Sequence, residues 1–261
     1  MKPVLLNTIL PALAAAALLV ACDNGNGLGS SAPPPAVYTA LGDSATIAAK
    51  LAEFRTALGG DLNAPNSPPA ASGRREINWD GVGAAVTNVD NFPANFFNVT
   101  SKRGAVFSTA IGTGLRVDST NFAAVNVGLG DQFKAFSPKK TFMSVGTIIT
   151  QVDFEVVGAT TLGVVNGFGV IFLDVDQPGS TRVTYYDKGG VILADIAAPG
   201  RSGAQEYSFV GAVFPSAIVA HVRISSGEAG LGVTSVDVSA GGTTDLVVMD
   251  DFVYGEPQPI L

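Results

Sequence analysis

Four aspartates stand where carboxylates could hold a cation. Asp174 and Asp176 lie two residues apart at the end of an apolar run, so their side chains project from one face of a predicted strand. Asp250 interrupts the last apolar run, and Asp80 ends the first predicted strand. Calcium takes about six to eight oxygen ligands and needs neither His nor Cys. These four residues are therefore predicted to bind a structural calcium ion; the alternative is hydrogen bonding to turn amides or pairing with arginines.

Aromatic side chains are the second group that could bind a ligand, because an exposed ring can stack on a sugar. Trp79 and Tyr186 are the candidates for such a glycan-binding surface. Tyr185 and Tyr186 are neighbours in a predicted strand and must face opposite sides, so at most one of them lies on a given face. For Trp79, the single Trp of the chain, a position in the core is the favoured interpretation.

The one cysteine, Cys22, is a candidate for lipid attachment. It follows Lys2 and an apolar stretch over residues 4–21, a pattern typical of an export signal. The letters LVAC at 19–22 resemble the lipobox of bacterial lipoproteins. The resemblance implies that Cys22 is acylated and becomes the new N-terminus, which would anchor an exported protein on the periplasmic or cell-surface side of a membrane. The alternative is an ordinary cysteine in an uncleaved or differently cleaved signal.

Ser44 is the candidate nucleophile. The run YTALGDS at 38–44 resembles the nucleophile block of GDSL-type esterases, where Ser follows a strand and opens a helix. That family takes its general base from a His with an Asp three residues before it, but here the one His, His221, has Ile218 at that position. A Ser without a base is a weak nucleophile. Helix capping is therefore favoured for Ser44, and an exported serine esterase is the alternative function.

Composition excludes several classes of function. The 261 residues are 47% hydrophobic, which is ample for a packed core. The net charge of −7, with 15 Lys and Arg spread along the chain, disfavours a nucleic-acid partner. One His and one Cys exclude a disulfide framework, a Cys-rich zinc site and any site with two imidazoles within one chain.

The chain divides into five predicted segments. Residues 1–21 form the signal peptide, and residues 22–42, rich in Gly, Ser and Pro, form a flexible tether. Residues 43–60 have helical apolar spacing behind a capping Asp or Ser, with two glycines as the stop. Residues 61–73 read as a linker loop, and residues 74–257 as a β-domain.

From residue 75 onward, short β-branched and aromatic runs alternate with turn residues, which predicts strands. The predicted strands are 75–80, 105–109, 115–118, 141–145, 148–157, 167–174, 182–186, 191–196, 206–214, 218–225 and 245–254. Hairpin-length connections favour antiparallel pairing. The strand at 218–225 alternates between a core face and a wetter face, whereas both faces of the last strand are apolar, which predicts a central position. The fold class is therefore an all-β, antiparallel two-sheet sandwich preceded by one short amphipathic helix.

Several segments resemble a functionally uncharacterised family of exported bacterial jelly-roll-like β-sandwich proteins. They are GRREINWDGV (73–82), NFFNV (95–99), GFGVIFLDVD (167–176), STRVTYYDKG (180–189) and VVMDDFVYGEP (247–257). The resemblance implies a jelly-roll-like sandwich outside the cytoplasm and brings no catalytic residues. The expected function is that of a lipid-anchored cell-envelope protein of non-catalytic binding or structural type, with glycan or another extracellular polymer as its partner.

Overall fold

The computed structural model describes residues 33–110, 113–200 and 206–260. The signal, most of the predicted tether and Cys22 lie outside these ranges. Within them, the chain forms two antiparallel β-sheets packed face to face, which confirms the predicted sandwich. No helix in these ranges is long and apolar enough to cross a membrane.

The described ranges contain two α-helices and fourteen strands. The helices are α1 (Ser44–Leu58) and α2 (Phe96–Val99). The strands are β1 (Ala36–Gly42), β2 (Arg74–Ile77), β3 (Ala105–Thr109), β4 (Gly114–Asp118), β5 (Thr141–Val145), β6 (Ile149–Phe154), β7 (Gly163–Val164), β8 (Gly167–Leu173), β9 (Arg182–Tyr186), β10 (Ile192–Ala197), β11 (Tyr207–Val213), β12 (His221–Ser225), β13 (Val248–Gly255) and β14 (Gln258–Pro259).

The larger sheet has seven strands in the order β1-β11-β8-β13-β5-β4, with β2 paired to the second half of β13. The smaller sheet has five strands in the order β10-β9-β12-β6-β3, and β7 pairs with β14 separately. Every one of these strand pairs is antiparallel. Strands from distant parts of the sequence therefore meet in one sheet, as in other sandwiches.

The main core lies between the two sheets. Val152, Val183 and Val222 of the five-stranded sheet pack there against residues such as Phe168 and Val170 of the seven-stranded sheet, all at 0% exposure. In β12 the side chains alternate as predicted, since positions 222 and 224 are buried while those at 221 and 223 reach the outer face. The outer face of the five-stranded sheet therefore faces solvent.

A second core covers the other face of the seven-stranded sheet. Helix α1 buries Ile47, Leu51, Phe54 and Leu58, whose spacing places them on one side of the helix. They pack with strand residues such as Phe209 and with aromatic side chains of the loop after β4. Both faces of β13 are therefore buried, which confirms its predicted central position.

Two glycines make room for α1 on the sheet. Gly211 in β11 pairs with Gly169 in β8. A Cβ atom would lie 2.7 Å from the ring of Phe54 at Gly211 and 2.8 Å from it at Gly169. Both distances are shorter than a van der Waals contact, so glycine at these positions lets the Phe54 ring reach the backbone of the sheet.

The predicted tether over residues 22–42 is wrong for its last seven residues. Ala36–Gly42 form β1, which pairs with β11 from Ala36 opposite Val213 to Gly42 opposite Tyr207. The strand lies at the edge of the sheet and is half exposed, so its sequence lacks the dense apolar pattern of a central strand.

Candidate functional site

The outer face of the five-stranded sheet brings together an aromatic pair and a carboxylate. His221 in β12 lies opposite Tyr186 in β9 and opposite Asp153 in β6. The Tyr186 and His221 rings stack, with centroids 4.6 Å apart and planes inclined by 12°. All three side chains are partly exposed. This row presents ring edges, a phenol hydroxyl, an imidazole and a carboxylate to solvent.

A second row lies beside the first, two residues along each strand. Arg223 in β12 is opposite Thr184 in β9 and Gln151 in β6. Gln151 Nε2 donates to both carboxylate oxygens of Asp153, at 2.9 and 3.1 Å, which connects the two rows. Arg223 is exposed and forms no ion pair within the described ranges. We call the surface formed by Tyr186, His221, Asp153, Thr184, Arg223 and Gln151 the open face.

An ion pair borders the open face on the β10 side. Arg182 Nη2 lies 2.6 Å from Asp195 Oδ2, and Thr184 Oγ1 donates to Asp195 Oδ1 over 3.0 Å. The hydrogen bonds from Arg182 to Asp195 hold the pKa of Arg182 above its usual value. The pair is exposed, so it contributes little to stability, but it fixes the position of Thr184.

Trp79 does not lie on this surface. Its side chain is 1% exposed, and its ring stacks on Phe142 with centroids 4.1 Å apart. The indole Nε1 donates to the backbone oxygen of Asp250 over 2.9 Å. The core interpretation of Trp79 is thus confirmed and its glycan-binding role is wrong, because packing against several phenylalanines buries the whole ring.

Two of the four predicted calcium ligands, Asp250 and Asp80, are not part of a cluster of three carboxylates within the described residues. Asp250 is buried at an irregularity in β13 and accepts hydrogen bonds from Phe136 N at 2.6 Å and Ser137 Oγ at 2.9 Å. Asp80 accepts one from Lys140 N at 3.1 Å. Burial raises the pKa of both carboxyl groups. Backbone amides and hydroxyls therefore bind these aspartates, as the alternative interpretation proposed.

The other two predicted ligands do come together, and a third aspartate joins them. One carboxylate oxygen each of Asp174, Asp176 and Asp237 lies within 4.8 Å of the others, and all three residues are buried. Asp237 precedes a 3-10 turn at Val238–Ala240 and is 61 positions from Asp176 in the sequence. No local pattern links Asp237 to the pair, so the sequence alone did not reveal it.

The electrostatics of this cluster are unfavourable for three ionised carboxylates. Burial, followed by the charges of Asp237, Asp176 and Asp245, raises the pKa of Asp174 to about 7, although Gln132 donates a hydrogen bond to its Oδ2. Burial also raises the pKa of Asp245, which accepts from Ser180 Oγ. The charges around Asp174 therefore favour a proton or a cation at its carboxylate.

Ser44 and His221 lie on opposite sides of the sandwich. Ser44 is the first residue of α1, which covers the outer side of the seven-stranded sheet, whereas His221 is on the outer side of the five-stranded sheet. The N-cap residue of α1 is Asp43, whose Oδ1 accepts a hydrogen bond from Thr46 N over 2.9 Å. This hydrogen bond lowers the pKa of Asp43. Ser44 is therefore adjacent to the cap rather than the capping residue itself.

Comparison of the sequence with known protein families and with curated proteins finds no match. Three solved structures have weak similarity. A CBM22-1 xylan-binding domain from Paenibacillus barcinonensis is 11% identical with a TM-score of 0.28, over 63% of this chain and 90% of that one. A mutant family 29 carbohydrate-binding module complexed with mannohexaose is 9% identical with a TM-score of 0.27, over 72% of this chain and 95% of that one. The enzymatically active domain of tailspike protein 4 of bacteriophage CBA120 is 12% identical with a TM-score of 0.29, over 67% of this chain and 22% of that one. These values assign the chain to no family.

Proposed function

We propose that this protein is a non-catalytic glycan-binding protein of the bacterial cell envelope, anchored by lipid on Cys22. The open face is its binding surface, and an extended, hydroxyl-rich polymer is its ligand. The observation that carries the proposal is the stacked pair of Tyr186 and His221, flanked by hydrogen-bonding side chains on the outer face of a sheet.

The chemistry of the open face suits polysaccharide. Sugar hydroxyls both donate and accept hydrogen bonds, and Arg223, Gln151 and Asp153 offer planar groups of both kinds. The exposed edges of the stacked Tyr186 and His221 rings add apolar surface that can contact the C–H groups of a sugar. Cross-strand neighbours within a row are about 5 Å apart, and the two rows are about 6.6 Å apart along the strands, so hydrogen-bonding groups recur on the scale of a single sugar ring.

The strands beneath the open face are well supported. Val152, Val183 and Val222 alternate with the exposed residues and are fully buried in the main core. Side chains on such strands are positioned before a ligand arrives, which lowers the entropic cost of binding. The Arg182–Asp195 pair and the Gln151–Asp153 hydrogen bonds restrict the edges of the surface in the same way.

The test is binding of the purified full chain to a panel of polysaccharides, followed by titration calorimetry on any ligand found. We expect Tyr186→Ala and His221→Ala each to weaken binding about fivefold, since one aromatic contact contributes on the order of 1 kcal/mol. Val127→Ala is the control, because Val127 is 86% exposed and its neighbours Val125 and Leu129 pack in the second core, on the other side of the seven-stranded sheet. Absence of binding to the whole panel, or equal affinity of all variants, would contradict the proposal.

A further inference from the structure

The cluster of Asp174, Asp176 and Asp237 has the dimensions of a metal site. Their oxygens lie within 4.8 Å of one another. Calcium binds oxygen at about 2.3–2.6 Å, so two oxygens on one ion are at most about 5 Å apart. The cluster lies where the chain leaves β8 of the seven-stranded sheet and crosses to β9 of the other sheet.

Asp174 has a carboxylate oxygen with no hydrogen-bond partner among the described residues. Asp174 is 3% exposed, and its Oδ1 is buried without a hydrogen bond within the described part of the chain. The other oxygen, Oδ2, accepts from Gln132 Nε2. A buried carboxylate oxygen without a partner is unfavourable, because it has lost its hydration. A cation in the cluster would replace the lost water.

Asp174, Asp237 and Asp245 form no ion pair with a Lys or Arg of the described residues. Asp245 is a fourth buried carboxylate close enough to act on the charge of Asp174. A divalent cation would place positive charge beside these three carboxylates.

The ligands are held in place by hydrogen bonds. Asp237 Oδ1 accepts from Leu246 N and its Oδ2 from Ser239 N, both at 2.7 Å. Asp245 accepts from the backbone amides of Asp176 and Gln177 at 3.2 and 3.1 Å, which fixes the start of the crossover to β9. The site is therefore formed without rearrangement of the loops, which favours binding.

We propose that Asp174, Asp176 and Asp237 bind a calcium ion that stabilises the crossover between the two sheets. The donors are all carboxylate oxygens, which hard cations prefer, and further oxygens come from backbone carbonyls and water. This site is separate from the open face and does not depend on glycan binding.

The test uses the purified full chain, stripped with EGTA and then titrated with CaCl₂. We expect calorimetric binding of about one ion per chain and a rise in melting temperature that EGTA reverses. Asp174→Asn should abolish both responses. Asp250→Asn is the matched control, because it removes another buried carboxylate that lies outside the cluster and should leave calcium binding unchanged.

A second measurement separates loss of the ligand from loss of the fold. Without calcium, Asp174→Asn should melt at or above the temperature of the stripped wild type, because the substitution removes one of the repelling buried charges. Absence of calcium binding by the wild type, or full calcium binding by Asp174→Asn, would overturn the proposal. Neither outcome bears on polysaccharide binding, since the open face contains none of these residues.

Discussion

At the residue scale, Arg75 and Glu256 form the most deeply buried ion pair of the described chain. Their side chains are 0% and 1% exposed, with Arg75 Nε 2.5 Å from Glu256 Oε2. Arg75 also donates to the backbone oxygens of Ala64 and Pro68, and Glu256 accepts from Asn63. The segment expected as a linker loop over residues 61–73 is thus bonded to the sandwich.

Removing one partner of this pair should be strongly destabilising. We expect Arg75→Ala to lower the free energy of unfolding by about 3–5 kcal/mol, because Glu256 would remain as an unpaired buried charge. Lys50→Ala is the control, because its ion pair with Glu53 is exposed and should contribute less than about 1 kcal/mol. Urea denaturation measures both, and equal losses would contradict the prediction.

Single residues were predictable from sequence where one property decided their place. Trp79 could be assigned to the core because a large apolar ring is usually buried. The partner of Arg75 could not be found, because Glu256 is 181 positions away and meets it through the pairing of β2 with β13. Asp237 was missed for the same reason, whereas Asp174 and Asp176 share one strand end.

At the element scale, β13 contains two buried aspartates at a shift in its strand register. Its register against β8 shifts between Met249 and Phe252, which leaves Asp250 and Asp251 at the shift. Burial raises the pKa of both carboxyl groups, and the charge of Asp251 raises that of Asp250 further. The other charged or titratable groups that act on the pair come from α1, β2 and β11: Arg55, Glu76 and Tyr207.

This pair should make stability fall as the pH rises. The raised pKa values mean that the folded chain keeps protons that the unfolded chain loses above about pH 4. The free energy of unfolding therefore decreases with pH from about 4 up to the folded pKa values. We expect Asp250→Asn to reduce this slope in urea titrations at several pH values. Asp43 should have the opposite effect, because its pKa is lowered in the folded chain and stability therefore rises with pH as Asp43 ionises. Asp43→Asn should remove this rise.

The packing of α1 on the seven-stranded sheet should not tolerate a side chain at Gly169. We expect Gly169→Ala to lower the free energy of unfolding by about 1–3 kcal/mol, because its Cβ would overlap the Phe54 ring. Gly81→Ala is the control, since a Cβ at Gly81 meets no atom within 4 Å. Unfolding of both variants at the same urea concentration would contradict this prediction.

Elements were predictable where the apolar pattern was strong. The central strands β8 and β13 follow from continuous apolar runs, and helix α1 follows from its helical apolar spacing. The edge strand β1 was missed because its stability comes from backbone bonds to β11, which no local pattern encodes. The open face could be foreseen at Tyr186, but its neighbours depend on the register of β12 with β9 and β6.

At the scale of the whole molecule, the chain forms three layers: the five-stranded sheet, the seven-stranded sheet, and a cover made of α1 and the loop after β4. The sequence predicted the first two layers from alternation. It did not reveal that α1 packs on the sheet, because an isolated amphipathic helix carries no information about which surface it covers.

The proposed anchor predicts where the protein is found in the cell. We expect the natural protein to fractionate with membranes and to carry acyl chains on Cys22, and we expect Cys22→Ser to release it or leave its signal uncleaved. Mass spectrometry of the N-terminus and membrane fractionation are the measurements. An unmodified Cys22 in membrane-free native protein would contradict the anchor while leaving polysaccharide binding open to its own test.

The central position of β13 has a consequence for when the protein can fold. The strand that joins β8 to β5 and β2 occupies Val248–Gly255, and Glu256 supplies the counterion of Arg75. Earlier strands can pair, but the larger sheet stays split until these late residues arrive. Under the proposed export, a chain that enters a translocation channel N-terminus first would complete this sheet only after β13 has passed through.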